Sequence, residues 1–293
     1  MNDVDDVQVR SAYVDAENAA RRGRVHVRAL HSHEELGAAR AIWDLVWPTV
    51  EPGGTEITGN LLRAMEHAGG YVGGAYVDDL MVGSCLGFVG RSRGVHGWHL
   101  HLHSHVAAAL PGYADRGIGT ALKLHQRAWA LEQGIDRIVW TYDPLVRRNA
   151  RLNLMKLGGV GAEYLVDFYG DMDDALNAGD ESDRILLQWD LVSPRVTDAL
   201  SGAAQALPRE AWLALGATDA LVDGEDGPEL LGVRSPVVLV AVPGDIVDIR
   251  RMDLPLALVW RRLLRAALEP VISNGGRIVS LTSDGHYVVE VES

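Results

Sequence analysis

The sequence predicts a mixed α/β (α+β) fold with a mostly antiparallel sheet and helices on both of its faces. Three strand-like runs, residues 70–77, 81–89 and 97–110, follow one another across links too short for a crossover, so they should pair antiparallel. A segment of helical period over residues 117–133 comes next, followed by a short apolar run over 135–141. Strand, helix and strand in this order form a right-handed parallel crossover.

Flanking elements complete this fold. Ser32 and Glu35 have the spacing of a capping box, which predicts a helix that begins there and ends at Pro48. In the helix over 117–133, the positions predicted to be more buried are Ile118, Ala121, Leu122, His125, Ala128, Trp129 and Leu131. The other elements predicted up to residue 191 are a strand over 25–30, helices over 57–67 and 147–157, and strands near 163–169 and 184–191.

The chain divides by composition into three predicted regions. Residues 1–23 are expected to form a polar, partly disordered leader, and residues 24–191 the mixed α/β domain. Residues 192–293 are expected to form a smaller α/β extension with a strand, an amphipathic helix capped by Asp253 and a hairpin. That helix could pack on the first domain or on a second subunit, so a homodimer is among the expected arrangements. The extension has no clustered nucleophile, base or metal set, so we do not expect it to be catalytic alone.

Composition excludes several classes of function. The formal net charge of the 293 residues is −13, which disfavours binding to nucleic acid. The single cysteine, Cys85, rules out an internal disulfide and fits a reducing compartment. The sequence has neither a long apolar run nor a basic and apolar amino-terminal segment, so we expect no membrane span and a cytoplasmic protein.

The segment from Leu110 to Ala121 is the most informative for function. A strand ends there, a glycine-rich turn follows, and a helix begins. Free N–H groups and the helix dipole make such a turn a binding site for anions such as a pyrophosphate. Gly117 and Gly119 carry no Cβ atom that would block close approach. An ordinary strand-to-helix turn is the competing interpretation, and the pattern is neither a Walker loop nor a Gly-x-Gly-x-x-Gly dinucleotide motif.

These residues resemble the GNAT acetyltransferase superfamily. The run from Arg116 to Ala121 fits its Arg/Gln-x-x-Gly-x-Gly/Ala motif, and the element order over residues 24–191 also matches. Asn149-Ala150 and Lys156-Leu157-Gly158 are similar to the family's second helix. The segment from Asp143 to Leu154 and the region 243–262 resemble an uncharacterised subgroup with a carboxy-terminal extension.

The resemblance implies a site for acetyl-CoA or another acyl-CoA as co-substrate. The backbone amides of the motif turn would hold the pyrophosphate and Arg116 would add positive charge. Ala107 and Ala109 would pair with the pantetheine arm, and Asn149 would touch that arm. The amides concerned belong to Gly117, Ile118, Gly119 and Thr120.

The catalytic residues are harder to predict. Many family members have a tyrosine acid two residues before the lysine of the second helix, where this chain has Leu154. On the strand before the motif, His99, His101, His103 and His105 should share one face if no bulge intervenes. These histidines could bind zinc, line a polar face or supply a general base. A flat row fits tetrahedral zinc poorly, so we predict no metal.

His105 is the preferred base, with His103 second, because both lie close to the point where a thioester would sit. His105 should also face the same cleft as Ala107 and Ala109 unless a bulge flips the register. Tyr169 and the loop residue Glu51 are further candidates. Trp43 and Trp47 could be core residues or the wall of an acceptor pocket.

Two functions therefore remain open. The first is transfer of an acyl group from acyl-CoA to the amine of a small-molecule acceptor. The second is a CoA-binding but catalytically silent regulatory or interaction module, which the leucine at the tyrosine position favours. The histidine strand and the complete motif turn favour the first.

Overall fold

The computed structural model describes residues 4–48, 54–94, 97–113, 116–170 and 180–291. Within these ranges the chain forms two compact units. The first contains residues 4–140 with 190–192, and the second contains 141–170, 180–189 and 193–291. In neither unit is a described helix long and apolar enough to cross a membrane.

The first unit is a mixed sheet with strand order β1-β2-β3-β4-β5. The first four strands pair antiparallel and β4 pairs parallel to β5, which confirms the meander and the crossover. The elements are α1 (Asp6–Gly23), β1 (His26–Ala29), α2 (His33–Val46), α3 (Gly59–His67), β2 (Tyr71–Val77), β3 (Leu80–Gly94), β4 (Gly97–Ala109), α4 (Ile118–Glu132) and β5 (Arg137–Tyr142).

Helices cover both faces of this sheet, as the sequence predicts. On one face, Ser84 of β3 donates its hydroxyl to the Ala39 carbonyl of α2, and Trp43 of α2 donates to the Ser84 carbonyl. On the other face, a Cβ atom at Gly83 of β3 would meet Ile118 of α4. We call the face of β3 and β4 that packs on α2 the α2 face, and the opposite one, which packs on α4, the α4 face.

The predicted leader is wrong for residues 6–23, which form helix α1. Asp5 caps this helix and Gln8 closes a capping box, so its first N–H groups are satisfied. The buried side chains of α1 are small, and Asp15 and Tyr13 bond to Arg127 and Glu132 of α4 at 3.0 and 2.9 Å. Burial against α4 stabilises a segment whose polar composition alone suggested disorder.

The second unit has seven described strands, in the order β7-β6-β11-β12-β10-β8-β9. Strand β11, from the predicted extension, pairs with β6 at Ile278 and Gly161. The elements are α5 (Arg147–Ala150), a π-helical turn (Arg151–Lys156), β6 (Val160–Leu165), β7 (Arg184–Asp190), α6 (Pro194–Ser201), α7 (Arg209–Ala214), β8 (Thr218–Gly224), β9 (Gly227–Leu230), β10 (Val237–Ala241), α8 (Ile246–Met252), α9 (Leu254–Ser273), β11 (Arg277–Leu281) and β12 (His286–Glu290).

Several predictions for this unit need correction. The helix expected over 147–157 is a single α turn followed by the π turn, and β6 begins at Val160 rather than near Glu163. Strands β8 and β9 form a hairpin that the sequence does not predict, with its turn between Gly224 and Gly227. The domain limits at residues 24, 191 and 293 stay a prediction.

A buried network of ion pairs ties helices α8 and α9 to the residues after β5. The Arg261 guanidinium, which is 1% exposed, donates to Asp143 and Asp180 at 2.8 Å each. Arg250 reaches the same two carboxylates at 2.7 Å. Burial by itself would raise the pKa of Asp143, but Arg261 and Arg250 outweigh it and hold that pKa well below its ordinary value. The buried charges are therefore compensated, and Asp143 stays ionised.

Candidate functional site

The start of helix α4 is the first part of the candidate site. Gly117 is the N-cap residue, has a left-handed φ of 81°, and places no side chain over the helix end. The first backbone N–H groups of α4, on Ile118, Gly119 and Thr120, therefore lack a side-chain cap and remain available to an anion. No atom lies within 4 Å of a Cβ atom built at Gly119, so the space in front of it is open.

Two further side chains flank this turn. Ile118 is buried and anchors the first turn of α4, so its contribution to a ligand would come from the backbone. Arg116 is exposed and lies 4.8 Å above the Tyr113 ring. Residues 114–115 lie outside the described ranges. The predicted anion turn thus has the geometry that its sequence requires, but its role in binding stays a prediction.

An open edge of strand β4 is the second part. Among the described residues, β4 pairs with β5 only at Leu102–Ile138 and His103–Val139. On its other side β4 pairs with β3 along its whole length, up to Ala109. The backbone groups of residues 104–109 that point away from β3 therefore have no strand partner. An extended ligand with amide groups could add to this edge as a strand would.

A bulge in β4 changes the predicted faces of its side chains. The β3–β4 register shifts between Leu86–Val106 and Gly87–Ser104, which leaves His105 as the extra residue. Ala108 belongs to the core on the α2 face, so Ala107 and Ala109 point to the α4 face. The rings of His103 and His105 lie 5.0 and 6.0 Å from that of Phe88.

Phe88 shares the α2 face with Leu86, which is two residues earlier on the same strand, so His103 and His105 also lie on the α2 face. The expectation that His105 shares a face with Ala107 and Ala109 is therefore wrong, and the bulge is the physical reason. His105 lies in the open edge of β4 because it follows Ser104 in the chain, but its side chain is on the opposite face from Ala107 and Ala109.

Both candidate histidines are neutral at pH 7. Burial, followed by the charges of His105 and His101, lowers the pKa of His103 to about 4. Partial burial also lowers the pKa of His105 below its ordinary value of 6.5. A neutral imidazole can accept a proton, and a base whose pKa is nearer to the working pH is the more effective one. His105, which is the more exposed of the two, remains the better candidate.

A small cavity of about 20 Å³ lies on the α2 face, beside β4. Trp43 and Trp47 form part of its wall, and Trp43 is also buried in the core, so both predicted alternatives apply to it. Val106, the neighbour of His105 in the chain, lines the cavity as well. The Asp44 carboxylate at its rim accepts a hydrogen bond from the Thr55 hydroxyl at 2.7 Å. Aromatic walls with a carboxylate at the rim suit an amine.

The remaining predicted residues have separate surroundings. Asn149 is exposed on α5, and Leu154 is buried in the π turn. Tyr169 lies after β6 in a turn rather than in the strand expected there, with its hydroxyl 3.0 Å from that of Thr141. Glu51 lies outside the described residues. Cys85 is fully buried, and burial raises the pKa of its thiol to about 12, which fits an unreactive core residue.

The sequence analysis missed one ionisable residue of this region, Lys123 of α4. Its side chain is buried on the α4 face of the sheet, where its ammonium group donates to the Ser104 hydroxyl at 2.7 Å. The ammonium also lies 3.8 Å from the centre of the Trp140 ring. A lysine inside the apolar pattern of a helix was the signal that could have identified it, because isolated lysines are almost never fully buried.

Residues 39–158 match the sequence model of the Acetyltransferase (GNAT) family. The GNAT-like part of the chain is therefore residues 39–158, called the GNAT segment below. The matched segment includes the open edge of β4, the α4 turn and the π turn, and residues 159–293 continue beyond it. A search of curated proteins finds no match. Within the described ranges no group of three or more His, Cys, Asp or Glu residues could hold a metal ion.

Solved structures similar to this chain include three acetyltransferases. A GNAT acetyltransferase from Streptococcus pneumoniae is 14% identical, with a TM-score of 0.44 over 56% of this chain and 98% of that one. The ribosomal-protein-S18-alanine N-acetyltransferase from Escherichia coli is 15% identical, with a TM-score of 0.43 over 58% and 95%. An aminoglycoside acetyltransferase from an uncultured soil metagenomic sample, in complex with sisomicin, is 14% identical, with a TM-score of 0.34 over 41% and 78%.

Proposed function

We propose that this protein is an N-acyltransferase that transfers an acetyl or other acyl group from acyl-CoA to the amine of a small molecule. The observation that carries the proposal is the uncapped start of α4 at Gly117, which directly follows the unpaired edge of β4 inside the GNAT segment. The first feature suits a pyrophosphate, and the second suits the amide-bearing pantetheine arm.

The acceptor would approach from the α2 face. His103 and His105 lie on that face, and the cavity between Trp43, Trp47 and Val106 opens beside them. An amine nucleophile must lose a proton during acyl transfer, and a neutral His105 could accept it directly or through a water. The cavity has room for about one small group, so it could receive the amine of an acceptor whose remainder lies outside it.

Replacing Gly119 with valine should weaken CoA binding by about tenfold to a hundredfold, because hydrogen bonds to charged groups contribute about 1.5–3 kcal/mol. A Cβ atom at this position meets no protein atom, so the variant should fold while its branched side chain occupies the anion position. Calorimetric titration with CoA measures the effect.

The matched control is Gly37→Val. Gly37 is also a helical glycine with open space around its Cβ position, but it lies on the exposed side of α2. The Gly37→Val substitution should change helix stability by about as much as Gly119→Val does, and it should leave the affinity for CoA unchanged. Equal CoA affinity for wild type and a folded Gly119→Val protein would remove the cofactor assignment.

The alternative is a CoA-binding module without turnover, which Leu154 at the usual tyrosine position favours. An assay of free thiol released from acetyl-CoA against a library of small amines separates the two. The proposed function requires at least one amine that accelerates thiol release above hydrolysis in buffer. CoA binding without release for any amine would support the silent module instead.

A further inference from the structure

Lysine is rare in this chain, and Lys123 occupies an unusual position for a lysine. The sequence has 27 lysine and arginine residues, and only Lys123 and Lys156 are lysines. Lys156 is exposed, whereas Lys123 is 6% exposed. Among the described residues Lys123 forms no ion pair, and its ammonium group donates a hydrogen bond to the Ser104 hydroxyl. A buried ammonium without a carboxylate is unfavourable, so packing alone does not account for a lysine here.

The ammonium group lies at the point where β4 and β5 separate. The last residues that pair are His103 of β4 and Val139 of β5. The next residue on each strand is Ser104 and Trp140, and these are the two side chains that Lys123 touches, at 2.7 and 3.8 Å. Lys123 therefore marks the inner end of the gap between the strands.

A ligand bound as proposed would bring its reactive end to this point. Its phosphates would bind at the start of α4, next to the outer end of the β4 edge. Its extended arm would then run along residues 109 to 104, which span about 17 Å at about 3.3 Å per residue. The end of the arm that carries sulfur would arrive beside Ser104, where the Lys123 ammonium lies.

We propose that Lys123 is the catalytic acid that protonates the leaving CoA thiolate. This inference rests on the proposed acyl transfer. The acceptor nitrogen attacks the thioester carbonyl, the C–N bond forms and the C–S bond breaks. The sulfur takes a proton from the Lys123 ammonium, and the nitrogen loses one to His105 or a water. Lys123 then regains a proton from solvent. Lys123 thus takes the role of the acid that Leu154, at the usual tyrosine position, cannot supply.

The ionisation of Lys123 fits this role. Burial lowers the pKa of its ammonium to about 7, while the nearby thiol of Cys85 acts weakly in the opposite direction. His103 lies on the opposite face of β4, and the charge of Lys123 is one of the causes that lower its pKa. An acid with a pKa near the working pH transfers its proton effectively. Activity should therefore fall as the pH rises above about 7, since the group must be protonated to act.

A titration of the CoA thiol in its bound state tests the proposal without any acceptor. A neighbouring ammonium favours the thiolate and lowers the pKa of the thiol by about 1–3 pH units. Ultraviolet absorbance of the thiolate should thus show a midpoint at least about 1 pH unit lower in wild type than in Lys123→Met. Methionine keeps an apolar chain of similar length in a buried place, and Lys123→Gln serves if Lys123→Met does not fold.

Lys156→Met is the matched control and should leave the thiol midpoint at the wild-type value. Affinity for CoA, measured by calorimetry, should be nearly equal in all variants. If wild type does not bind CoA, the proposed function fails and this inference fails with it. If CoA binds and its thiol titrates at the same pH in wild type and both Lys123 variants, only the role of Lys123 is overturned.

Wild type alone offers a second readout, because two lysines give two lysine signals in a spectrum of protein labelled with ¹³C-lysine. The Lys123 signal should titrate near pH 7 without ligand, and CoA should shift its titration while that of Lys156 stays unchanged. A Lys123 signal that does not respond to bound CoA would contradict the proposal.

Discussion

An Arg261→Ala protein is expected to lose about 3–5 kcal/mol of its free energy of unfolding. Arg261 joins the buried carboxylates of Asp143 and Asp180, and its removal leaves Arg250 as the remaining partner that contacts both. Loss of one partner from a buried ion pair costs more than the pair contributed, because the other charge stays desolvated. Equilibrium unfolding in urea measures the loss.

Arg262→Ala is the control, since Arg262 is the next residue on α9 but is exposed. Its free energy of unfolding should stay within about 0.5 kcal/mol of wild type. Equal stability of the Arg261 and Arg262 variants would mean that the network around Asp143 contributes little to the fold.

A His105→Ala protein should turn over about 10²–10⁴-fold more slowly than wild type, which is the usual effect of losing a general base. His105 must be neutral to accept a proton, so activity should fall as the pH drops through its lowered pKa, below 6.5. The variant should lack this acidic limb and keep its affinity for CoA. Initial rates over pH, with an amine from the thiol-release assay, test both expectations.

His99→Ala is the matched control on the same strand. The His99 imidazole lies 3.1 Å from the Asp136 carboxylate, far along β4 from the bulge. Its loss should leave the turnover and the acidic limb intact. Wild-type rates in His105→Ala would transfer the role of base to His103, then Tyr169, then Glu51.

The order of strands and helices in the GNAT segment could be predicted from the sequence because each element carries its own signal. Strand-like runs joined by short links mark β2, β3 and β4, and the capping residue Ser32 marks α2. The bulge at His105 has no such signal. It depends on how β4 pairs with β3, and a single extra residue reverses the faces of Ala107 and Ala109.

The burial of Lys123 was missed for a related reason. The periodicity of α4 indicates a helix with one buried face, but Leu124 and Arg127 are buried as well. Helix α4 packs between the sheet and α1, and α1 was not expected to be a helix. The capping-box spacing of Asp5 and Gln8 is present in the sequence, but the prediction rested on polar composition alone.

The scarcity of lysine also limits how far an acyl-CoA could acylate the protein itself. A thioester is an activated acyl donor that reacts with any neutral amine nearby. Guanidinium groups stay protonated in proteins and do not act as such nucleophiles. Nearly all the basic side chains of this chain are arginines, so its surface offers a bound or free acyl-CoA few lysine amines to modify. The one lysine that is buried, Lys123, is covered by Ser104 and Trp140.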